Sequence, residues 1–305
     1  RVAEAYFSAL LADEQLALVV SQKTAYTSQV DAARKGFAAG AGTRTDIDEA
    51  QARLDLTVAQ ELEARQNVDY SRRQLQTLIG QPVDTLAPVD VQRLVVAPTV
   101  EVLSDWTTRA EQYSPDMASA RAQVEAAQQE INKVQAGHLP TLDAVAQMSR
   151  STSENITTVH SRYDQKVIGL QLSVPIFQGG YVNSQVRQAV AELERARNVL
   201  EASRLDLGAR VYREYRGVTE GVLRVKALEQ AVKSNEQLVI SSRRSYQAGS
   251  RTLLDILNSE QQLVAARRDL AQARFNYIAS RVRLKALVGE VRPANVDEIN
   301  GWLQH

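Results

Sequence analysis

The sequence predicts a mainly α-helical protein of duplicated long antiparallel helical hairpins, with one β-hairpin that contributes to an oligomeric membrane β-barrel. Three observations lead to this fold class: an internal repeat, two long windows without proline, and one stretch of alternating apolar residues. A repeat of about 80 residues indicates duplicated substructure, because solenoid repeats have shorter periods.

The two copies of the repeat are related by a constant offset of 209 positions. The pairs of residues related in this way include Val2 and Val211, Gly40 and Gly249, Asp46 and Asp255, and Gly80 and Gly289. Residues that the offset relates are expected to occupy equivalent structural positions.

The proline-free windows predict long helices. No proline occurs before Pro82, and none lies between Pro175 and Pro293. Since an interior proline costs a helix about 3 kcal/mol, both windows can be helical throughout. Each window contains a glycine turn, followed by Thr43-x-x-Asp46 in one copy and Thr252-x-x-Asp255 in the other, the pattern of a capping box that starts a new helix. Each copy is therefore predicted to be a helical hairpin.

Proline, glycine and the repeat divide the chain into segments. We predict a first-repeat helical hairpin at 1–81, an inter-repeat linker at 82–100, helices of the second repeat at 101–138, a β-hairpin at 139–180, a long second-repeat helical hairpin at 181–289 and a tail at 290–305. In the last hairpin one helix is expected from Tyr181 to about Tyr246. Ser114-Pro115 is expected to start another, because proline suits the first helical position. We also expect the chain to lack the start of the first repeat.

The alternating stretch predicts two strands, over 141–150 and 165–175. Ile168, Leu170 and Leu172 share one face of the second strand, and small or polar residues share the other. A half-buried strand of a soluble sheet and a strand of a membrane barrel are both compatible with this pattern. The flanking long helices favour the barrel, because a lone hairpin is unstable. Between the strands we expect a long polar loop over 151–163, whose apolar residues are Ile156 and Val159.

Composition argues against several classes of function. Lysine plus arginine equals aspartate plus glutamate, at 36 each, which disfavours a nucleic-acid binder. Cysteine is absent from the sequence, and His138, His160 and His305 are far apart along it. No nucleophile, metal-ligand or phosphate-loop motif is present. We therefore predict no enzyme, no cofactor and no metal.

The sequences on both sides of the predicted β-hairpin, AGHLPTLD at 136–143 and LSVPIFQGG at 172–180, resemble the TolC family of outer-membrane efflux and secretion channels. The tip sequence GSRTLLDIL at 249–257 is similar to the periplasmic entrance of that family. The resemblance includes the internal duplication.

The resemblance implies a homotrimer in the outer membrane and periplasm of a Gram-negative bacterium. It implies a passive exit duct for tripartite efflux or type I secretion, opened at its periplasmic coiled-coil entrance. The expected partners are a periplasmic adaptor (membrane fusion) protein, an inner-membrane pump or ABC transporter, and outer-membrane lipid.

The resemblance also implies site residues. Tyr246 and Arg251 match positions that hold the entrance closed through contacts with the first hairpin, here Asp46 and Thr45. Asp255 matches an acidic pore constriction, and Asn258 stands where well-known members carry a second aspartate. Gly40 and Gly249 match the tips at which the adaptor docks. The strand–helix transitions are expected at Pro140, Pro175, Gly179 and Gly180.

Simpler interpretations stay open for these residues. Asp46 and Asp255 could serve as capping carboxylates alone, and Arg251 could be a solvated surface arginine. The alternative function is a soluble coiled-coil scaffold or a periplasmic adaptor-like protein without channel activity. An adaptor would have β-domains on both sides of one hairpin, whereas here two helical hairpins enclose the predicted strands.

Overall fold

The computed structural model describes residues 1–83, 85–90, 96–97, 101–155, 158–290, 297 and 300–303. For residues 153–155 and 158–161 it describes the backbone alone. Ile156 and His305, and the side chains of Val159 and His160, therefore lie outside the described residues. The chain forms two compact units: Arg1–Ser114 together with Leu207–His305, and Pro115–Asp206. The helices and strands occur along the chain in the order of the predicted segments. The division of the chain into these segments stays a prediction.

The first unit contains both helical hairpins. Helices α1 (Val2–Ala38) and α2 (Arg44–Ile79) form the first hairpin. The C-terminal part of α5 (Tyr181–Gln247) and α6 (Leu253–Leu287) form the second, and α3 (Leu103–Tyr113) belongs to the same unit. The prediction of long helices in the two proline-free windows is confirmed, including the helix from Tyr181. Within the described residues, no helix is both long enough and apolar enough to cross a membrane.

Small residues allow α5 and α6 to approach closely. A Cβ added at Gly217 would lie 2.3 Å from Ser280 Oγ, so a larger residue would force the helices apart. One turn further along, Gly221 faces the buried ring of Tyr277. The Tyr277 hydroxyl donates to the carbonyl of Ala97 at 2.9 Å, which fixes a described part of the inter-repeat segment on α6.

The second unit combines α4 (Pro115–Gln135), a short 3₁₀ turn (Ala136–His138), the β-hairpin and the first part of α5. Helix α4 starts at Pro115, as predicted from the Ser-Pro pair. Its Ile131 is buried against Ala189 and Leu193 of α5, and these residues form a small apolar cluster within the unit.

The β-hairpin consists of β1 (Thr141–Asn155) and β2 (Thr158–Ser173), paired antiparallel. The prediction of two strands is confirmed, but the prediction of a long loop over 151–163 is wrong. Pairing continues from Thr141 opposite Ser173 to Asn155 opposite Thr158. A strand with neither face in a core needs no apolar alternation. In the half of the hairpin nearer its turn, the strand conformation is favoured by β-branched threonines and by the cross-strand pair Arg150–Asp164, whose Nε and Oδ1 atoms are 2.6 Å apart.

Candidate functional site

The tips of the two helical hairpins have the same backbone structure. In the first tip, the Gly40 amide donates to the Phe37 carbonyl at 3.0 Å and the Ala41 amide donates to the Gly36 carbonyl at 2.9 Å. The second tip repeats both hydrogen bonds 209 positions later. This pattern is a Schellman motif, which needs a left-handed residue after the helix. Gly40 and Gly249 both have φ of 73°, so each glycine is required by its turn.

The helix after each tip begins with the predicted capping box. Thr43 and Thr252 are the N-caps of α2 and α6, and each hydroxyl accepts the backbone amide of the aspartate three residues later. In return, the carboxylate of Asp46 accepts the amide of Thr43 at 2.8 Å, and that of Asp255 accepts the amide of Thr252 at 2.9 Å. The duplicated sequence therefore forms a duplicated local structure.

The two tips share one apolar core. Leu253, Ile256 and Leu257 of α6 are buried against the first hairpin. The residues of the first hairpin in this core are Tyr26, Val30 and Ala33 of α1 and Ala50 of α2. Separation of the hairpins at this end would expose these side chains to water, which costs about 25 cal/mol for each Å² of apolar surface.

The residues predicted to form the gate are placed near this core. The Arg251 guanidinium donates from Nη1 to Ser242 Oγ at 3.0 Å, so its hydrogen bond closes its own hairpin. Tyr246 is 40% exposed, and Thr45 is exposed too. In the described part of this single chain, no hydrogen bond or ion pair joins Tyr246 or Arg251 to Asp46 or Thr45. Their assignment as gate residues stays a prediction.

Asp255 keeps a negative charge readily. Its carboxylate accepts hydrogen bonds from the backbone and the hydroxyl of Thr252, and these lower its pKa below the ordinary aspartate value. Partial burial opposes this shift, and the positive charge of Arg251 adds to it. A neighbouring acid would therefore meet a charged group at neutral pH. The ring that three copies of Asp255 would form stays a prediction, as does the role of Asn258 in it.

Arg53 of α2 is a contact between the hairpins that the sequence did not reveal. Its guanidinium donates from Nη2 to Asn258 Oδ1 at 3.0 Å, and from Nη1 to Gln261 Oε1. Both acceptors lie on α6. Partners 205 residues apart leave no pattern of spacing in one sequence. The equivalent position in the second copy is Gln262, so the repeat gave no signal either.

Glu260 is a second residue that the sequence did not single out. Its side chain is only 8% exposed, and Oε1 accepts from Arg243 Nη2 at 2.6 Å. Gln29 of α1 donates to the same oxygen at 3.4 Å. Oε2 is buried and has no hydrogen-bond partner among the described residues. Glu260 therefore joins α1, α5 and α6 through one oxygen.

The β-hairpin presents an apolar face that nothing covers in the described part of its unit. Directly opposed residues of an antiparallel pair point to the same side. The opposed pairs on this face are Leu142 with Leu172, Ala144 with Leu170, and Ala146 with Ile168. Ile168 is 90% exposed. The opposite face has polar and small pairs, among them Asp143 with Gln171 and Val145 with Gly169.

The residues predicted to form the strand–helix transitions lie between the β-hairpin and its neighbouring helices. Pro140 precedes β1, Pro175 follows β2, and Gly179 and Gly180 precede α5. Gly179 has φ of 57° and Gly180 has φ of 81°. Such positive φ angles favour glycine. The role of these four residues as strand–helix transitions stays a prediction.

Duplicated long helical hairpins and a β-hairpin with one exposed apolar face together define a class of mainly helical proteins with a small antiparallel sheet. The chain belongs to the outer membrane efflux protein family, whose model matches residues 1–81 and 106–290. The alkaline protease secretion protein AprF of Pseudomonas aeruginosa is 35% identical over 97% of the chain. The outer membrane protein TolC of Escherichia coli is 30% identical over 99% of it. The resemblance to the TolC family is thus confirmed.

A solved structure supports the same fold. The outer membrane protein VceC of Vibrio cholerae matches 94% of the chain, and 68% of its own chain, with a TM-score of 0.74 and 20% identity. The chain spans 62% of the length of AprF and 63% of that of TolC. The names of these relatives describe secretion and outer-membrane proteins, and none describes an enzyme.

Proposed function

We propose that the chain belongs to one protomer of a trimeric outer-membrane channel, a passive exit duct that crosses the outer membrane and periplasm. One observation carries the proposal: the β-hairpin, which follows one helical hairpin in the sequence and precedes its second copy, has an apolar face that nothing covers in the described part of its unit. Backbone groups in lipid must all be hydrogen bonded, so a two-stranded hairpin can cross a membrane only within a closed barrel of several chains.

The partners follow from the passive character of the duct. A periplasmic adaptor docks at the tips around Gly40 and Gly249, and an inner-membrane pump or ABC transporter supplies the energy. The protein performs no catalysis itself. The similarity to AprF, named for the secretion of an alkaline protease, favours type I secretion of protein cargo.

Assembly and insertion of the full-length protein test this function. Light scattering in mild detergent is expected to give the mass of a trimer, and planar bilayers are expected to show stepwise conductance. A protein that stays monomeric and produces no conductance would contradict the proposal and favour the soluble scaffold.

Two neighbouring positions of β2 provide matched variants. Leu170→Arg places a charge on the apolar face, where it costs about 2–4 kcal/mol at the middle of a bilayer, and insertion into liposomes should fall sharply. Gln171→Arg places the same charge on the polar face and should insert normally. Equal insertion of both variants would show that this face does not contact lipid.

A further inference from the structure

The apolar face of the β-hairpin ends in a charged patch. Beyond the pair Ala146–Ile168, the next three pairs on the same face are Met148 with Lys166, Arg150 with Asp164, and Thr152 with Arg162. We call Arg150, Arg162, Asp164 and Lys166 the basic patch. All four residues are exposed. Lys166 lies at the middle of the hairpin, and the other three lie in the half that is remote along the chain from α4 and α5.

Positive charge exceeds negative charge in this patch. Asp164 faces Arg150 across the strands, and the two side chains form an ion pair. Arg162 and Lys166 are two residues away from Asp164 on either side, which on a strand is about 7 Å. Among the described side chains neither of them forms an ion pair. Residues 150–166 also contain Glu154, whose side chain is not among those that the structure describes. Even with Glu154 included, this stretch has a net positive charge.

The position of the patch restricts its environment. The three apolar pairs described above lie next to the basic patch on the same face of the hairpin. In the proposed channel this face contacts lipid. A lysine or arginine next to such a band extends its charged end into the headgroup layer. If the helices occupy the periplasm, the tip of the hairpin reaches the outer leaflet, and the patch lies among its headgroups.

We propose that the basic patch binds the phosphates of anionic lipid headgroups in the outer leaflet. Arginine matches the geometry of phosphate with paired N–H donors, and lysine adds a compact charge. Asp164 forms an ion pair with Arg150 and so limits the excess positive charge. The inference rests on the proposed function, because it needs the apolar face to contact lipid.

Native mass spectrometry of the full-length trimer in detergent tests the site, with lipid A carrying two phosphates as the probe and dephosphorylated lipid A as the control lipid. The triple variant R150Q/R162Q/K166Q removes the cations. Since each basic residue near a charged surface contributes roughly fivefold in affinity, binding of phosphorylated lipid A should weaken at least about tenfold. Asp164→Asn removes the anion and should strengthen binding. Arg187→Gln on α5 removes a charge outside the patch and should change nothing.

The outcomes separate this inference from the proposed function. Trimer formation and conductance of the unsubstituted protein report on the channel alone. Equal binding of both lipids, or equal affinity in all variants, would overturn the phosphate site while leaving the channel intact. Full displacement of the lipid by millimolar inorganic phosphate would show a free anion as the ligand and also contradict the inference. If the triple variant fails to assemble, Lys166→Gln and Asp164→Asn must still change affinity in opposite directions.

Discussion

At the scale of single residues, Glu260 is the least compensated group near the hairpin tips. Burial removes most of the water from its carboxylate, yet only one of the two oxygens has a hydrogen-bond partner among the described residues. A buried charge is tolerated when a partner offsets the loss of hydration. For Glu260 the charged partner is Arg243, with a weaker contribution from Gln29.

We predict that Arg243→Met destabilises the protein more than Glu260→Gln does. Loss of the arginine leaves the carboxylate buried without a counter-charge, at a cost of about 1–3 kcal/mol, moderated because Arg243 is half-exposed. Glu260→Gln removes the charge that needs compensation. The measurement is thermal unfolding of the full-length protein followed by circular dichroism.

Arg44→Met is the matched control for this prediction. Arg44 pairs with Asp48 on the surface of α2, and both side chains are exposed, so its loss should cost less than about 1 kcal/mol. If Arg243→Met proved as mild as this control, the ion pair of Glu260 would have no role in stability.

At the scale of elements, the duplicated hairpins differ at one informative pair of positions. In the first hairpin, Lys23 of α1 and Glu61 of α2 form an ion pair at 2.7 Å. The repeat offset relates these residues to Val232 and Leu270, which belong to one apolar cluster in the second hairpin. The same helix–helix contact is therefore ionic in one copy and apolar in the other.

The double variant Lys23→Val with Glu61→Leu is expected to be as stable as the natural protein, or more stable by about 1–4 kcal/mol. Replacement of this ion pair by apolar residues removes the cost of desolvating Glu61, whose side chain is 7% exposed, whereas Lys23 is 40% exposed and its desolvation cost is smaller. Lys23→Val alone should cost about 1–2 kcal/mol, because Glu61 keeps its bond to Arg65. Chemical unfolding of the three proteins measures this. A double variant less stable than the single one would refute the equivalence of the two copies.

Elements with strong local signals could be predicted from the sequence, and contacts between distant segments could not. The absence of proline from two long windows predicted the long helices, and the Thr-x-x-Asp motifs predicted where α2 and α6 begin. The distal half of the β-hairpin was missed, because alternation appears only where one strand face is apolar. Arg53 and Glu260 were missed because tertiary packing selects their partners, and one sequence contains no trace of such pairs.

At the scale of the whole molecule, the question is which contacts hold the entrance closed. The sequence prediction assigns this role to Tyr246 and Arg251 with Asp46 and Thr45. In the single chain, Arg251 bonds to its own hairpin, whereas Arg53 joins the first hairpin to α6. A trimer adds contacts between protomers, so both sets can contribute to the closed state.

Conductance of the full-length channel distinguishes the two sets. If the hairpins separate on opening, Arg53→Ala removes hydrogen bonds that exist only in the closed state. Each of the two bonds contributes about 1 kcal/mol, so the ratio of open to closed channels should rise at least roughly fivefold. Tyr246→Phe with Arg251→Ser should also raise conductance if those residues act between protomers. Arg44→Ala, whose partner Asp48 lies on the same helix, should leave the conductance unchanged.

An increase for Arg53→Ala alone would assign closure to contacts within the protomer, whereas an increase for the double variant alone would assign it to contacts between protomers. Unchanged conductance in both would mean that the shared apolar core of the tips keeps the entrance closed without these polar contacts.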